Sequence, residues 1–116
     1  MTGETAVPGF STRITAIMRL YSQDLDEARR IVREGLRGYR ARIFLYGSWA
    51  TGAATRTSDI DLAVLPLEPI PRDVLAGIRE ALEESRVLYP VDLVDLSEST
   101  EAFRERIVRE GTAWTE

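Results

Sequence analysis

One stretch constrains this chain more than any other: Asp59-Ile60-Asp61-Leu62-Ala63-Val64-Leu65, an apolar, β-prone run that opens with two carboxylates. Successive side chains of a strand point to opposite faces. Asp59 and Asp61 therefore share one face, and Ile60, Leu62 and Val64 take the other. Two carboxylates a few ångström apart repel, and each raises the pKa of its neighbour. A fold tolerates such a pair when a divalent cation sits between them. By itself an Asp-x-Asp step reads more readily as a solvated strand edge, because surface aspartates are common.

What precedes the pair changes that balance. Ile43 to Tyr46 is a short apolar run that reads as a buried strand, and it leads straight into Gly47-Ser48. Glycine at a strand end lets backbone N–H groups approach a phosphate, and a serine hydroxyl adds a donor. If a helical turn starts at Ser48, its N-terminus also favours an anion, and Gly52 keeps that turn clear of a ligand. From Ser48 to Ser58 the composition of Gly, Ala, Thr and Ser predicts a loop with room for one helical turn. A phosphate cradle followed by a same-face carboxylate pair on the neighbouring strand is far rarer than either feature alone.

A third strand, Val91 to Leu96, is interrupted by Asp92 and Asp95. A charge in a buried strand costs several kcal/mol unless it is paired. These two lie three apart and face opposite ways, so at most one joins Asp59 and Asp61. Asp92 is the better choice, because Asp95 lies near the strand end and can be solvated beside Ser97.

The remaining elements are helical. After Ser22, a good N-cap, Leu25, Ala28, Ile31, Val32 and Leu36 recur at helical spacing, with Arg29, Arg30 and Arg33 facing water and Gly35 and Gly38 ending the helix. Asp24, Asp26 and Glu27 suit the positive end of its dipole. Pro71 opens a helix with Val74, Leu75, Ile78, Ala81 and Leu82 as its apolar stripe. Ser99 is placed to cap a last helix that carries Phe103, Ile107 and Val108 and stops at Gly111. Residues 1–9 read as a flexible terminus, Phe10 to Tyr21 is ambiguous between helix and extended chain, and 10–116 reads as one domain. The order helix, strand, loop, strand, helix, strand, helix predicts an α/β (α+β) domain, a small mixed sheet covered by helices.

Composition narrows the chemistry. The 116 residues carry a formal charge of −4 and contain neither Cys nor His. Thiol nucleophiles, imidazole bases and the usual zinc ligands are excluded. Any metal sits on oxygen ligands, which favours Mg²⁺, Mn²⁺ or Ca²⁺. The acidic balance argues against direct binding of nucleic acid. No apolar run reaches the roughly 20 residues of a membrane span, and no secretory signal is apparent at the start, so the expected location is cytoplasmic.

Gly-Ser, a ten-residue gap, Asp-x-Asp and a later strand Asp together resemble the nucleotidyltransferase superfamily that includes DNA polymerase beta. The short chain and the wording FLYGSWATGAATRTSDIDLAV…VDLVDL resemble its minimal nucleotidyltransferase branch, over about Ile43 to Leu96. Trp49 departs from the Arg or small residue common in relatives. The resemblance implies that Asp59 and Asp61 hold Mg²⁺ against a triphosphate. It implies that Asp92 holds a second metal and helps deprotonate an acceptor hydroxyl. Gly47 and Ser48 would bind the β- and γ-phosphates, with Gly52 and Ser58 completing the nucleotide site. The reaction would be in-line attack on the α-phosphorus with release of pyrophosphate. Arg56, in the loop before the carboxylates, reads more readily as a solvated residue than as a phosphate ligand.

In that branch many members are antitoxins paired with a HEPN-domain ribonuclease. The resemblance thus implies transfer of AMP from ATP to a tyrosine of such a partner, and the chain's size, which leaves no acceptor-binding domain, agrees. The alternatives are a binding module with a vestigial metal site, and a small-molecule transferase completed by a second chain. Self-association stays open. Tyr46 reads as core, Trp49 as either base-stacking or partner contact, and Trp114 as packing or interface.

Overall fold

The computed structural model describes residues 23–52, 54 and 58–114. The expectations for residues 1–9, for Phe10 to Tyr21, for Ser22 and for Arg56 lie outside them. In chain order the elements are helix α1 (residues 23–35), strand β1 (Ala41–Tyr46), the four-residue helix α2 (Ser48–Thr51) and strand β2 (Ile60–Pro66). Helix α3 (Arg72–Glu83), strand β3 (Val91–Asp95), a 3-10 turn (Leu96–Glu98), helix α4 (Glu101–Glu110) and strand β4 (Thr112–Ala113) follow.

The sheet order is β3-β2-β1-β4. β1 runs antiparallel to both β2 and β4, and β2 runs parallel to β3. A parallel pair needs a crossover, and α3 supplies it. Pro71, which lacks an N–H, stands at the N-cap of α3, and Asp73 lies in its first turn. Leu75, Ile78 and Leu82 are buried, while Ala81 at the edge of the expected stripe is exposed.

Alternation along the strands sorts the core into two layers. On one face Ile43, Leu45, Ile60, Leu62, Val64 and Leu93 pack against α1, α3 and Trp114. On the other, Phe44, Ala63 and Leu96 pack against Ile107 of α4. Each fully buried aliphatic side chain contributes about 1.5–3 kcal/mol relative to exposure. Close packing also sets glycine positions. A Cβ on Gly35, the last residue of α1, would collide with Ile78, so glycine there lets α1 press on α3; the left-handed turn follows at Gly38, with φ +92°.

Several expected details differ. Thr100, not Ser99, caps α4: its hydroxyl accepts from the Phe103 N–H at 3.1 Å, while the Ser99 hydroxyl donates to the Leu96 carbonyl. The third strand stops at Asp95, whose carboxylate accepts from Ser97 N–H and Oγ at 2.9 and 2.7 Å and folds the chain into the 3-10 turn. Arg29 does not simply face water, since its guanidinium reaches the Trp114 carbonyl at 3.2 Å. Strand β4 has no periodicity of its own to announce it; two residues pair because Gly111 turns the chain back onto β1. Arg79 of α3 donates twice to the Leu93 carbonyl, at 3.1 and 3.0 Å, covering part of the β3 edge. No helix among the described residues is long and apolar enough to cross a membrane.

Candidate active site

The site grows from strand register. Tyr46 of β1 is opposite Asp61 of β2, and Asp61 is in register with Asp92 of β3. Neighbouring strands lie about 4.8 Å apart, so Tyr46, Asp61 and Asp92 form one row across the sheet. Asp59 precedes β2 and is exposed; the chain also leaves Asp92 exposed, with Asp61 half-buried between its neighbours. Asp95 faces the other way and is engaged with Ser97.

Electrostatics follow from the row. Burial pushes the Asp61 carboxyl above the ordinary carboxylate value, and the charges of Asp92 and Asp59 push it further. Burial, then Asp61 and Asp92, push the Tyr46 phenol up to about 12. Asp61 thus feels both neighbouring aspartates, and the acidic side chains gather at this end of the sheet.

The Gly47 turn closes one side. Gly47 has φ +74°, a left-handed conformation that a side chain strains. A Cβ there would strike the Asp61 carboxylate, so only glycine lets the turn lie against that group. The Gly47 carbonyl accepts from the N–H groups of Ala50 and Thr51 at 3.1 and 3.2 Å and folds α2 directly after the turn. Ser48 is the first residue of α2 and Gly52 its left-handed cap, with φ +82°. Among the described residues nothing lies within 4 Å of a Cβ on Gly52, and its left-handed backbone angle is what favours glycine there. Ser58 meets the same turn through its backbone: its carbonyl accepts from Trp49 Nε1 at 3.3 Å.

That bond bears on Trp49. The side chain is 9% exposed and packs edge-on to Tyr89, with ring centroids 5.1 Å apart. It therefore belongs to the core beneath α2, and neither base stacking nor partner contact is open to it. The bulky residue was legible as a departure, but its direction was not: the second residue of a short helix points wherever the turn aims it. Trp114 is also core, and Tyr46 is half-buried with its ring edge-on to Phe103 at 5.9 Å.

The donor set suits a hard divalent cation: carboxylate oxygens, with no nitrogen or sulfur ligand in the chain from His or Cys. Among the described residues no three carboxylates converge into a ready-made cage. An open carboxylate row fits Mg²⁺ better than such a cage would, because Mg²⁺ is commonly held by one or two carboxylates together with substrate phosphates. Two other hollows, about 650 and 690 Å³, lie along α1 and between α1 and α3, and none of Asp59, Asp61 and Asp92 lines them.

The family model described as polymerase beta, nucleotidyltransferase, matches residues 40–114. A Haemophilus influenzae protein named "Probable protein adenylyltransferase MntA" is 32% identical over 92 residues, covering 79% of each chain. A crystal structure of a toxin–antitoxin with AMP-PNP contains a chain 27% identical, with TM-score 0.59, covering 76% of this chain and 73% of that one. A minimal nucleotidyltransferase structure is 28% identical, with TM-score 0.63, covering 78% and 92%.

Proposed function

From the premise that this chain belongs to the polymerase beta nucleotidyltransferase family, we propose that it transfers AMP from ATP, with Mg²⁺, to a tyrosine hydroxyl of a HEPN-type toxin and so acts as that toxin's antitoxin. The observation that carries the chemistry is the register of Asp61 with Asp92 beside a Gly47 turn that admits no Cβ. The acceptor assignment is supported by the relative named as a protein adenylyltransferase and by the likeness to a toxin–antitoxin chain crystallised with AMP-PNP. We place the pair in the cytoplasm, where ATP is available.

Asp59 and Asp61 would hold one cation against the triphosphate, and Asp92 would hold a second. Such cations would neutralise triphosphate charge and polarise the α-phosphorus. The Gly47 backbone and the Ser48 hydroxyl seat the phosphates. Gly52 and Ser58 shape that loop, Gly52 through its left-handed cap and Ser58 through the bond to Trp49. Asp92 lies on β3, at the outer end of the row, and takes the proton of the incoming hydroxyl at its carboxylate. The hydroxyl oxygen bonds to the α-phosphorus as the bond to pyrophosphate breaks. Positioning and charge neutralisation supply most of the acceleration.

The test is to incubate the chain with α-labelled ATP, Mg²⁺ and its cognate toxin. Label on a toxin tyrosine is expected. Tight association without label under any nucleotide would instead show a steric binding module. Mg²⁺ or Mn²⁺ should also raise the melting temperature by binding linkage, and the double variant Asp59→Asn, Asp61→Asn should lose that rise.

A further inference from the structure

One hollow touches the proposed centre without having been used. It measures about 340 Å³ and lies between the end of β1, α2 and α4, lined among others by Tyr46, Gly47, Thr51, Phe103 and Arg106. Tyr46 and Phe103 form its aromatic side, and Arg106 is the one cation among the described lining residues. Residues 103, 106, 107 and 110 recur at helical spacing on α4; Ile107 anchors that face in the core. Arg106 meets Glu110 at 3.4 Å, but the two side chains are 66% and 56% exposed. Such a pair is weak and easily exchanged for a stronger anion.

Sheet order gives the hollow a direction. In an in-line displacement the attacking and leaving oxygens stand on opposite sides of phosphorus. The row runs Asp92 on β3, Asp61 on β2, then Tyr46 and Gly47 at the end of β1. With the acceptor hydroxyl at Asp92, the leaving group must depart across Asp61 toward Gly47 and the hollow. A triphosphate tail that leaves the aspartate row for the hollow meets Glu110 as its one acidic lining residue and Arg106 as its one guanidinium among the described lining residues.

We infer that Arg106 binds the β- and γ-phosphates of the nucleoside triphosphate and holds the pyrophosphate as it leaves. This rests on the transferase reading above. As the acceptor oxygen bonds to the α-phosphorus, the α–β bridging oxygen leaves with the bonding pair, and the guanidinium meets that growing negative charge. Glu110 keeps Arg106 at the mouth of the hollow until phosphate displaces it.

Calorimetry with Mg²⁺ tests this, using a non-hydrolysable ATP analogue, pyrophosphate and AMP against the intact chain and Arg106→Ala. Loss of a charge-assisted pair should weaken the analogue and pyrophosphate roughly 10- to 100-fold. AMP, which lacks the tail, should bind as before. Arg106→Lys should recover part of the loss, and Arg109→Ala, which removes the same charge from α4 outside the hollow, should change little. Undiminished analogue binding by Arg106→Ala, equal loss of AMP, or equal weakening by Arg109→Ala would each overturn the assignment. Failure of the unaltered chain to bind any nucleoside triphosphate would remove the transferase reading and this one together. Unchanged circular dichroism and melting of Arg106→Ala would show that the fold is not what was lost.

Discussion

The two faces of one sheet behave as different materials. On the α1–α3 side, Ile60, Leu62, Val64 and Leu93 are sealed against helices and Trp114. On the α4 side the same strands present Ala63 and Phe44 near the middle but Tyr46, Asp61 and Asp92 at one end, where α4 leaves them partly uncovered. The closed face provides the stability that lets the open face keep mutually repelling carboxylates. Asp61 sits between Ile60 and Leu62, both fully buried, so its backbone is pinned from the far side of the sheet. A charged row that would spread apart on a loose segment is held in register instead.

That division can be broken or sharpened by substitution. The largest effect is expected at Asp61→Asn, which should cut transfer by on the order of 1,000-fold while leaving a folded chain; label transfer per folded molecule measures it. Next, Leu62→Ala on the closed face should cost about 2–5 kcal/mol of stability, read by denaturant unfolding, with activity per folded molecule retained at permissive temperature. A comparable loss of specific activity there would mean the faces are not separable. Gly47→Ala should cost about 1–3 kcal/mol from its positive φ and also abolish transfer, because its methyl group displaces the Asp61 carboxylate. Retained activity would show that the turn does not need to touch Asp61.

The smallest effect concerns pH. The Asp61 carboxyl is raised in the folded chain, so its contribution to stability is fully present below the unfolded value and is lost as pH rises through the raised one. Asp61→Asn should therefore melt slightly higher than the unaltered chain at neutral pH without metal, and the advantage should vanish in acid below the ordinary aspartate range. An advantage that persisted or grew in acid would contradict the proposed repulsion.

Much of this was readable in one dimension, for a specific reason. The strand period of two assigns Asp61 and Ile60 to opposite faces without any knowledge of neighbours. The Gly-Ser turn after an apolar run similarly carried its own local signal, as did the separation of Asp92 from Asp95. Less was readable wherever a second element decides the outcome. Trp49 looked accessible because it stands beside the Gly47-Ser48 turn, yet α2 rotates it beneath the turn to Tyr89. Ser99 and Thr100 are both competent caps, and only the 3-10 turn ahead of them selects Thr100. Gly35 does end α1, but its contact with Ile78 of α3 carried no local signal.

The amino-acid order by itself determined which face of each strand its residues occupy, because alternation and turn conformation depend only on near neighbours along the chain. Tertiary structure alone decided that Asp61 meets Asp92 in parallel register, that Gly47 abuts the Asp61 carboxylate, and that Arg106 overlooks the same turn. Those relations join residues 14 to 59 positions apart, and no local pattern encodes how a crossover helix and a closing helix bring them side by side.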